Sequence, residues 1–403
     1  MHSTLASQRS KFLIGMLLIL FLMAGAIPSL AQSSAHPSPV EVMTPKPPTH
    51  VMVEGRQVLV YELHITNFAS SPLKLTEIQV FAVSEKSSPA EVTGGDKIAD
   101  YTGSSLAKLL HPVGEAMQMG ASSKTHRDSS QLEGGRRVVA FMYVGIPRDL
   151  QLSALRHRFL FDVSDPSHAK GTPNDESALD GVVVPVLQQE PLVLRPPLGE
   201  GIWLAGNGPS NTSVHRRAVI ALNGRAYIAQ RFATDWMLVG ANGNTFHDSR
   251  ARNENFWDFG QPVAAVADGE VTEVVNNIPD HLPDQPPDIT LQNIAGNHVI
   301  LRIAPGIYAM LAHLKQGSIR VQLHQQVKSG EVLGELGDSG NTTAPHLHFQ
   351  LMDASSPLAA EGIPYLFEKF RFLGFGRDFE MDKHPDEARS LSLPMDDTVL
   401  SFQ

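Results

Sequence analysis

From Val51 onward, apolar and polar positions alternate with period two in short runs, and turn-forming residues separate the runs. The segments "QVLVYELHITNF" (57–68), "LKLTEIQVFAV" (73–83), "RRVVAFMYVGI" (136–146) and "HRFLFDVS" (157–164) each predict a strand. Gly, Pro, Ser and Asn punctuate them. No long run of helical period intervenes, and residues 103–120 predict at most a short helix. An antiparallel β-sandwich over 51–195 follows. "GVVVPVLQQEPLVLRPPLGEG" (181–201) adds a last strand and a Pro-rich connector, so 196–214 reads as a linker.

The second half is again strand-rich. "RRAVIALNGRAYIAQRF" (216–232) places two alternating runs around Asn223-Gly224, a strong hairpin signal. "FGQPVAAVADGEVTEVV" (259–275), "NHVILRI" (297–303), "GIYAMLAHL" (306–314), "GEVLGELG" (330–337) and "HLHFQLMD" (346–353) complete a β domain over 215–375. A Pro- and Asp-rich loop spans Asn276 to Ile294, and residues 376–403 read as a polar, irregular tail. The fold class is all-β, without internal repeats.

The N-terminus differs. Arg9 and Lys11 precede an apolar run from Phe12 to Ile27, and Pro28 and Ser29-Leu30-Ala31 follow. This predicts a cleaved signal peptide over 1–31 and an exported, periplasmic or extracellular, protein. A flexible Ser/Pro/Thr-rich leader over 32–50 follows it. The apolar run falls short of the roughly 20 residues of a membrane span, so membrane contact is expected only if the segment stays uncleaved.

Composition narrows the chemistry. The 403 residues contain no cysteine and carry a formal net charge of -10. Disulfides and thiol lipidation are excluded, and any metal site must use His, Asp or Glu. The acidity argues against nucleic acid as a partner.

The densest candidate site is His346-Leu347-His348. On a strand, residues i and i+2 share a face, so both imidazoles project side by side. "GDSGNTTAPHLHFQL" sets an open turn before them, and His313 follows the strand "YAMLA". His281 and His298 lack such a setting and read as loop or strand-surface residues.

Taken together, "GQPVAAVADGEV", "GNHVILRI", "YAMLAHL", "VKSGEVLGELGDSGN" and "PHLHFQL" resemble the catalytic β core of the lysostaphin-type (LytM-domain) zinc endopeptidases, over about 215–355. The resemblance implies one Zn2+ per chain, held by the His and Asp of an HxxxD motif and the second His of HxH. Asp235 and His348 match two of these ligands, and His346 and His313 match the catalytic partners. Three protein ligands leave zinc a position for water, and an adjacent imidazole can move a proton. Peptide bonds of cell-wall peptidoglycan are the implied substrate.

One ligand is missing, because Arg231 stands four residues before Asp235, and a guanidinium cannot ligate zinc. His215 is the candidate replacement. A two-residue loop at Asn223-Gly224 pairs Leu222 with Arg225, and extending that register sets His215 opposite Phe232. Strand parity then turns it away from Asp235, unless a β-bulge intervenes. His247 is the weaker candidate.

Other residues have plainer readings. Asp280, Asp284 and Asp288 offer charges to cationic groups or belong to a solvated loop, and Trp236 and Trp257 pack near the site. His324 falls where the family commonly carries Gly. A non-catalytic relative that binds wall peptides or regulates a hydrolase is the alternative function, favoured by Arg231. A carrier domain is a third reading, but Lys315 and Lys328 are misplaced for its modified lysine. The N-terminal sandwich carries no nameable chemistry. Spacing, cleft covering or binding of a protein partner are its expected roles, so deleting 40–195 is expected to leave metal binding intact.

Overall fold

The strand Arg56–Asn67 shows how the chain is assembled, because every residue from Val58 to Asn67 is buried. A strand of an open sandwich would bury one face only. Here one face, with Leu59, Tyr61, Leu63 and Ile65, meets Ile78, Val80, Phe159 and Phe161 of the facing sheet. The other face, with Val58 and Val60, joins the apolar core of the C-terminal half, beside Trp203, Phe367 and Leu393. The polar Glu62 and His64 are buried on that second face.

This computed structural model describes residues 39–84, 95–113, 128–147, 150–162, 176–377 and 380–402. The expected signal peptide lies outside them. Among the described residues no helix is long and apolar enough to cross a membrane.

The N-terminal part is an antiparallel sandwich of two five-stranded sheets. One is ordered Val40–Met43, Arg56–Asn67, Arg137–Ile146, Leu110–Pro112, with His50–Val53 also paired to Arg56–Asn67. The other is ordered Glu176–Pro185, Ala154–Asp162, Leu73–Val83, Lys97–Thr102, with Gln131–Leu132 paired to Leu73–Val83. The predicted helix is the short element Gly103–Leu109. Within the segment read as a flexible leader, Val40–Met43 is a strand, with Val40 opposite Asn67.

The C-terminal part centres on an eleven-stranded sheet. Its middle runs Tyr365–Arg377, Thr398–Phe402, Gly201–Gly206, Thr234–Leu238, Leu347–Met352, Ile307–Leu314, Asn297–Ala304, Gly269–Val275. Two sequence expectations change here. The segment read as a linker contains Gly201–Gly206, which pairs with both Thr234–Leu238 and Thr398–Phe402. The segment read as an irregular tail supplies Glu380–Ser392 and Thr398–Phe402. Glu380–Ser392 is polar because its described side chains are mostly exposed, which hid its strand character.

The HLH strand lies near the middle of this sheet, between Thr234–Leu238 and Ile307–Leu314. Leu347, Phe349 and Leu351 face the core with Trp236, while His348 and Gln350 point to the other face. Trp236 is fully buried and packs against Phe367 and Phe402.

Candidate functional site

Strand register builds the site's floor. Asp235 stands directly opposite His348, and His348 opposite Ala312. Asp235 Oδ1 lies 3.0 Å from His348 Nδ1 and 3.4 Å from His346 Nε2. The HLH pair and Asp235 therefore meet on one face, as alternation predicts.

His313 reaches the same face by a local irregularity. Asn297 pairs with Leu314 but His298 pairs with Ala312, leaving His313 as the extra residue of a β-bulge. Its φ is +62°, rare for a side chain with a Cβ. Simple alternation would put His313 in the core with Leu311 and Ala309; the bulge turns it out beside Ala312 and Met310. Its Nδ1 donates to Ser339 O at 2.7 Å, and its ring centroid lies 4.8 Å from that of His346. Ser339 is held in turn where Gly296 (φ +58°) and Gly340 (φ +85°) let two backbones cross. A Cβ on Gly296 would stand 2.0 Å from Ser339 O.

His215 arrives by a route the sequence did not suggest. The Asn223-Gly224 hairpin forms, with Leu222 opposite Arg225, but its ladder ends at Ile220 and Tyr227. The expected register opposite Phe232 is therefore wrong, and no bulge is involved. His215 instead sits on a helical turn, Val214–Arg217, where strand parity has no meaning. Its Nε2 is 3.4 Å from Asp235 Oδ2, and its Nδ1 donates to Asn207 O at 3.0 Å. One ligand-type atom from each of His215, Asp235 and His348 lies within 4.8 Å of the others, a group that could hold a metal ion.

The remaining polar partners orient this group. Gln350 Oε1 accepts from His348 Nε2 at 2.9 Å, which turns the Nδ1 edge of the ring towards Asp235. The amide of Gln350 is itself turned by its Nε2 contact with Pro357 O. Asn207 Nδ2 donates to Asp235 Oδ2 at 2.9 Å, and Ala344 O accepts from His346 Nδ1 at 2.8 Å. Such outer contacts fix imidazole tautomers around metals. Gln350 was missed in the sequence, although its position two residues beyond His348 on one strand would have placed it here. Asn207, with φ +50° in a loop, carries no sequence signal.

The protein's own charges polarise the cluster. Burial pushes Asp235 up, but the imidazoles of His215 and His346, with hydrogen bonds from His346 and His348, hold it well below the carboxylate range. Burial lowers His215 to about 4 against the pull of Asp235. For His346 burial is outweighed by Asp235 and by Ala344 O, and its pKa rises to about 9. Burial and the neighbouring imidazoles of His346 and His348 hold His313 well below its usual value. Behind them, burial lifts Asp258 to about 8.

All five residues line a cavity of about 390 Å3, with Val214, Met237, Phe256 and Leu358 on its walls. His247 is not in the group; it is half-buried, with its Nδ1 2.9 Å from Asp248 Oδ2 and its ring against Trp257. Two of the three loop acids, Asp280 and Asp284, have side-chain partners, while Asp288 is exposed. Asp280 accepts from Gln316 N and Asp338 N, and Asp284 faces Arg250. His324 adopts φ +68° at its turn, the conformation glycine would favour.

Arg231 lies away from the cluster, fully buried. Its Nε donates to Glu62 Oε2 at 2.7 Å, and its terminal nitrogens donate to Gly362 O and Glu361 Oε2.

An all-β core that gathers two imidazoles and a carboxylate beside two further histidines defines a metallopeptidase-type domain. Residues 256–360 match Peptidase family M23, and the C-terminal half of the chain carries a LytM-type domain of that family. The match contains His313, His346 and His348 but stops short of Asp235, Arg231 and His215, the stretch where the family pattern breaks. The cell division protein DipM of Caulobacter vibrioides is 36% identical over 92 residues, 23% of this chain and 12% of that protein. The glycyl-glycine endopeptidase ALE-1 of Staphylococcus capitis is 30% identical over 131 residues, 32% of this chain and 31% of its own. The chain thus spans under a third of either relative. The crystallised catalytic domain of lysostaphin from Staphylococcus simulans is 21% identical, covering 41% of this chain and 88% of that one with a TM-score of 0.23.

Proposed function

We propose that this chain is an exported zinc metalloendopeptidase that hydrolyses peptide bonds in cell-wall peptidoglycan. The observation that carries the reading is the His215–Asp235–His348 group, within 4.8 Å and beside His346 and His313. Two imidazoles and one carboxylate are a donor set suited to catalytic zinc, and the outer contacts from Gln350 and Asn207 O aim both imidazole lone pairs inward. Zinc held there supplies a Lewis acid at the scissile carbonyl and at water.

The chain's own residues supply the rest. His346, pinned through Nδ1 on Ala344 O, holds and passes a proton at Nε2, which faces Asp235. His313 donates through Nδ1 to Ser339 O, so the neutral ring presents the Nε2 lone pair, which accepts a proton or a hydrogen bond from water or a substrate N–H. Val214, Met237, Phe256 and Leu358 give the cavity apolar walls against which a peptide substrate would pack. Peptide hydrolysis is supported by the peptidase family and by ALE-1, a glycyl-glycine endopeptidase; the wall substrate rests on the resemblance to the lysostaphin-type enzymes.

A non-catalytic reading drew its support from Arg231. That residue has a structural partner set of its own, and three donors assemble without it, so the feature no longer favours that alternative.

The test is digestion of purified peptidoglycan sacculi by the zinc-loaded chain, followed as newly released amino groups. Folded His346→Ala and His313→Ala variants should each lose about 100-fold or more. No release by the zinc-loaded wild type would overturn the proposal.

A further inference from the structure

The N-terminal sandwich reaches this site through buried charges. Glu62, on the sandwich strand Arg56–Asn67, has a side chain 1% exposed. Its two oxygens accept from different arginines of the C-terminal half: Oε1 from Arg216 Nε at 3.1 Å and Oε2 from Arg231 Nε at 2.7 Å. Glu361 takes the other end of Arg231. Two carboxylates thus offset two guanidinium groups, and all four residues are buried. Buried charge is tolerated only when paired in this way.

Arg216 directly follows His215. The turn that carries both, Val214–Arg217, has four residues and cannot hold its own conformation. Inside the C-terminal half it is tied by the His215 Nδ1 contact to Asn207 O, by the bond from Arg216 Nη1 to Asn211 Oδ1 and by the bond from Arg217 Nε to Asn211 O. Further ties reach the sandwich. Arg216 donates to Tyr61 O at 2.9 Å and Met142 O at 2.7 Å, and Arg217 donates to Lys108 O at 2.8 Å. Both residues after His215 are therefore fastened to sandwich backbone, and Glu62 neutralises the deeper one.

We propose that Glu62 is a positioning residue for His215, and that the sandwich thereby sets the affinity of the site for metal. This inference rests on the zinc reading above. It also connects two departures from the family pattern. The position four residues before Asp235 anchors the sandwich, through Arg231. The replacement donor comes from a turn that the same sandwich carboxylate holds. Losing Glu62 leaves Arg216 and Arg231 short of a counter-charge, so Arg216 must move towards water and carry His215 Nε2 off the cluster.

The experiment measures zinc affinity of the full chain by competition with a chromophoric chelator, and records the visible spectrum of the cobalt(II)-substituted protein. Glu62→Gln, His215→Ala and the double variant are compared with wild type. Glu62→Gln should weaken zinc about 10- to 100-fold and shift the cobalt bands towards those of His215→Ala. In the His215→Ala background it should change affinity by less than about twofold, because its effect acts through that ligand. A folded Glu62→Gln protein with wild-type affinity and spectrum would overturn the proposal, as would an equal loss in both backgrounds. If Glu62→Gln does not fold, Glu62→Asp carries the test, since it keeps the charge but shortens the reach to Arg216 and Arg231. Weakened zinc is then expected, and unchanged affinity refutes the idea. A wild type that binds no zinc overturns the zinc reading, and this one with it.

Discussion

At the scale of single residues, Arg231 is the most instructive. In sequence it is a lost ligand; in the structure it is half of a buried charge network. Arg231→His would restore the family's motif, yet should not improve the site. It leaves Glu62 and Glu361 short of a counter-charge, and a destabilisation of roughly 3–5 kcal/mol is expected by chemical denaturation. An unchanged midpoint would contradict that role. Gln350→Ala should weaken zinc about 10-fold or more by freeing the His348 ring, measured by the same chelator competition. Far from the site, His157 lies buried between Tyr61 Oη at 2.7 Å and Val182 O at 3.2 Å, and burial lowers its pKa to about 4. The unfolded chain takes up this proton near pH 6.5 and the folded one only near 4, so stability falls across that window as pH drops. Between pH 7 and 4.5 wild type should therefore lose about 2 kcal/mol more than His157→Gln; equal losses would show that this proton is not linked to folding. Asp235, His346 and His348 were legible because alternation and motif agree on their face. His215 was legible only as a nearby imidazole, because nothing local marks the turn that presents it.

Among elements, period-two patterning located strands well and failed where a strand departs from period two. The bulge at His313 has no glycine or asparagine to announce it, and only the pairing of Asn297 with Leu314 reveals it. Its support is more visible: Gly340 at φ +85° lies in the Gly-rich turn before the HLH pair, and a Cβ there would meet Gly296 N at 2.4 Å. Gly340→Ala should displace Ser339 and with it His313, lowering peptidase activity well before it abolishes zinc binding. Loss of both together, or of neither, would contradict the separate roles given to these residues. The C-terminal strands were missed for a different reason. Thr398–Phe402 is short and follows the polar, exposed strand Glu380–Ser392, so it read as tail. It nevertheless fills the sheet between Gly201–Gly206 and Tyr365–Arg377. Asp396, just before it, accepts from Gly208 N and Ser210 Oγ near the turn that carries His215. Ending the chain at Met395 should give insoluble protein; a soluble, zinc-binding truncation would refute the account of this sheet.

For the whole molecule, the all-β class and the sandwich were readable, but the dependence of one half on the other was not. Residues Val58 to Asn67 form an unbroken buried run, and in hindsight a glutamate and a histidine within it point to a strand covered on both faces. From sequence alone the sandwich is dispensable for metal binding. The ties from Arg216 and Arg217 to Tyr61, Met142 and Lys108 reverse that expectation, and deletion of 40–195 should cost zinc affinity as well as stability. The central claim is that three residues from three separate stretches, His215, Asp235 and His348, hold one catalytic zinc. Elemental analysis of the purified chain, beside folded His215→Ala and His348→Ala variants, tests it most directly. About one zinc per chain is expected in wild type, with substantial loss from both variants. Full zinc in His215→Ala, or none in wild type after incubation with excess metal, would contradict it.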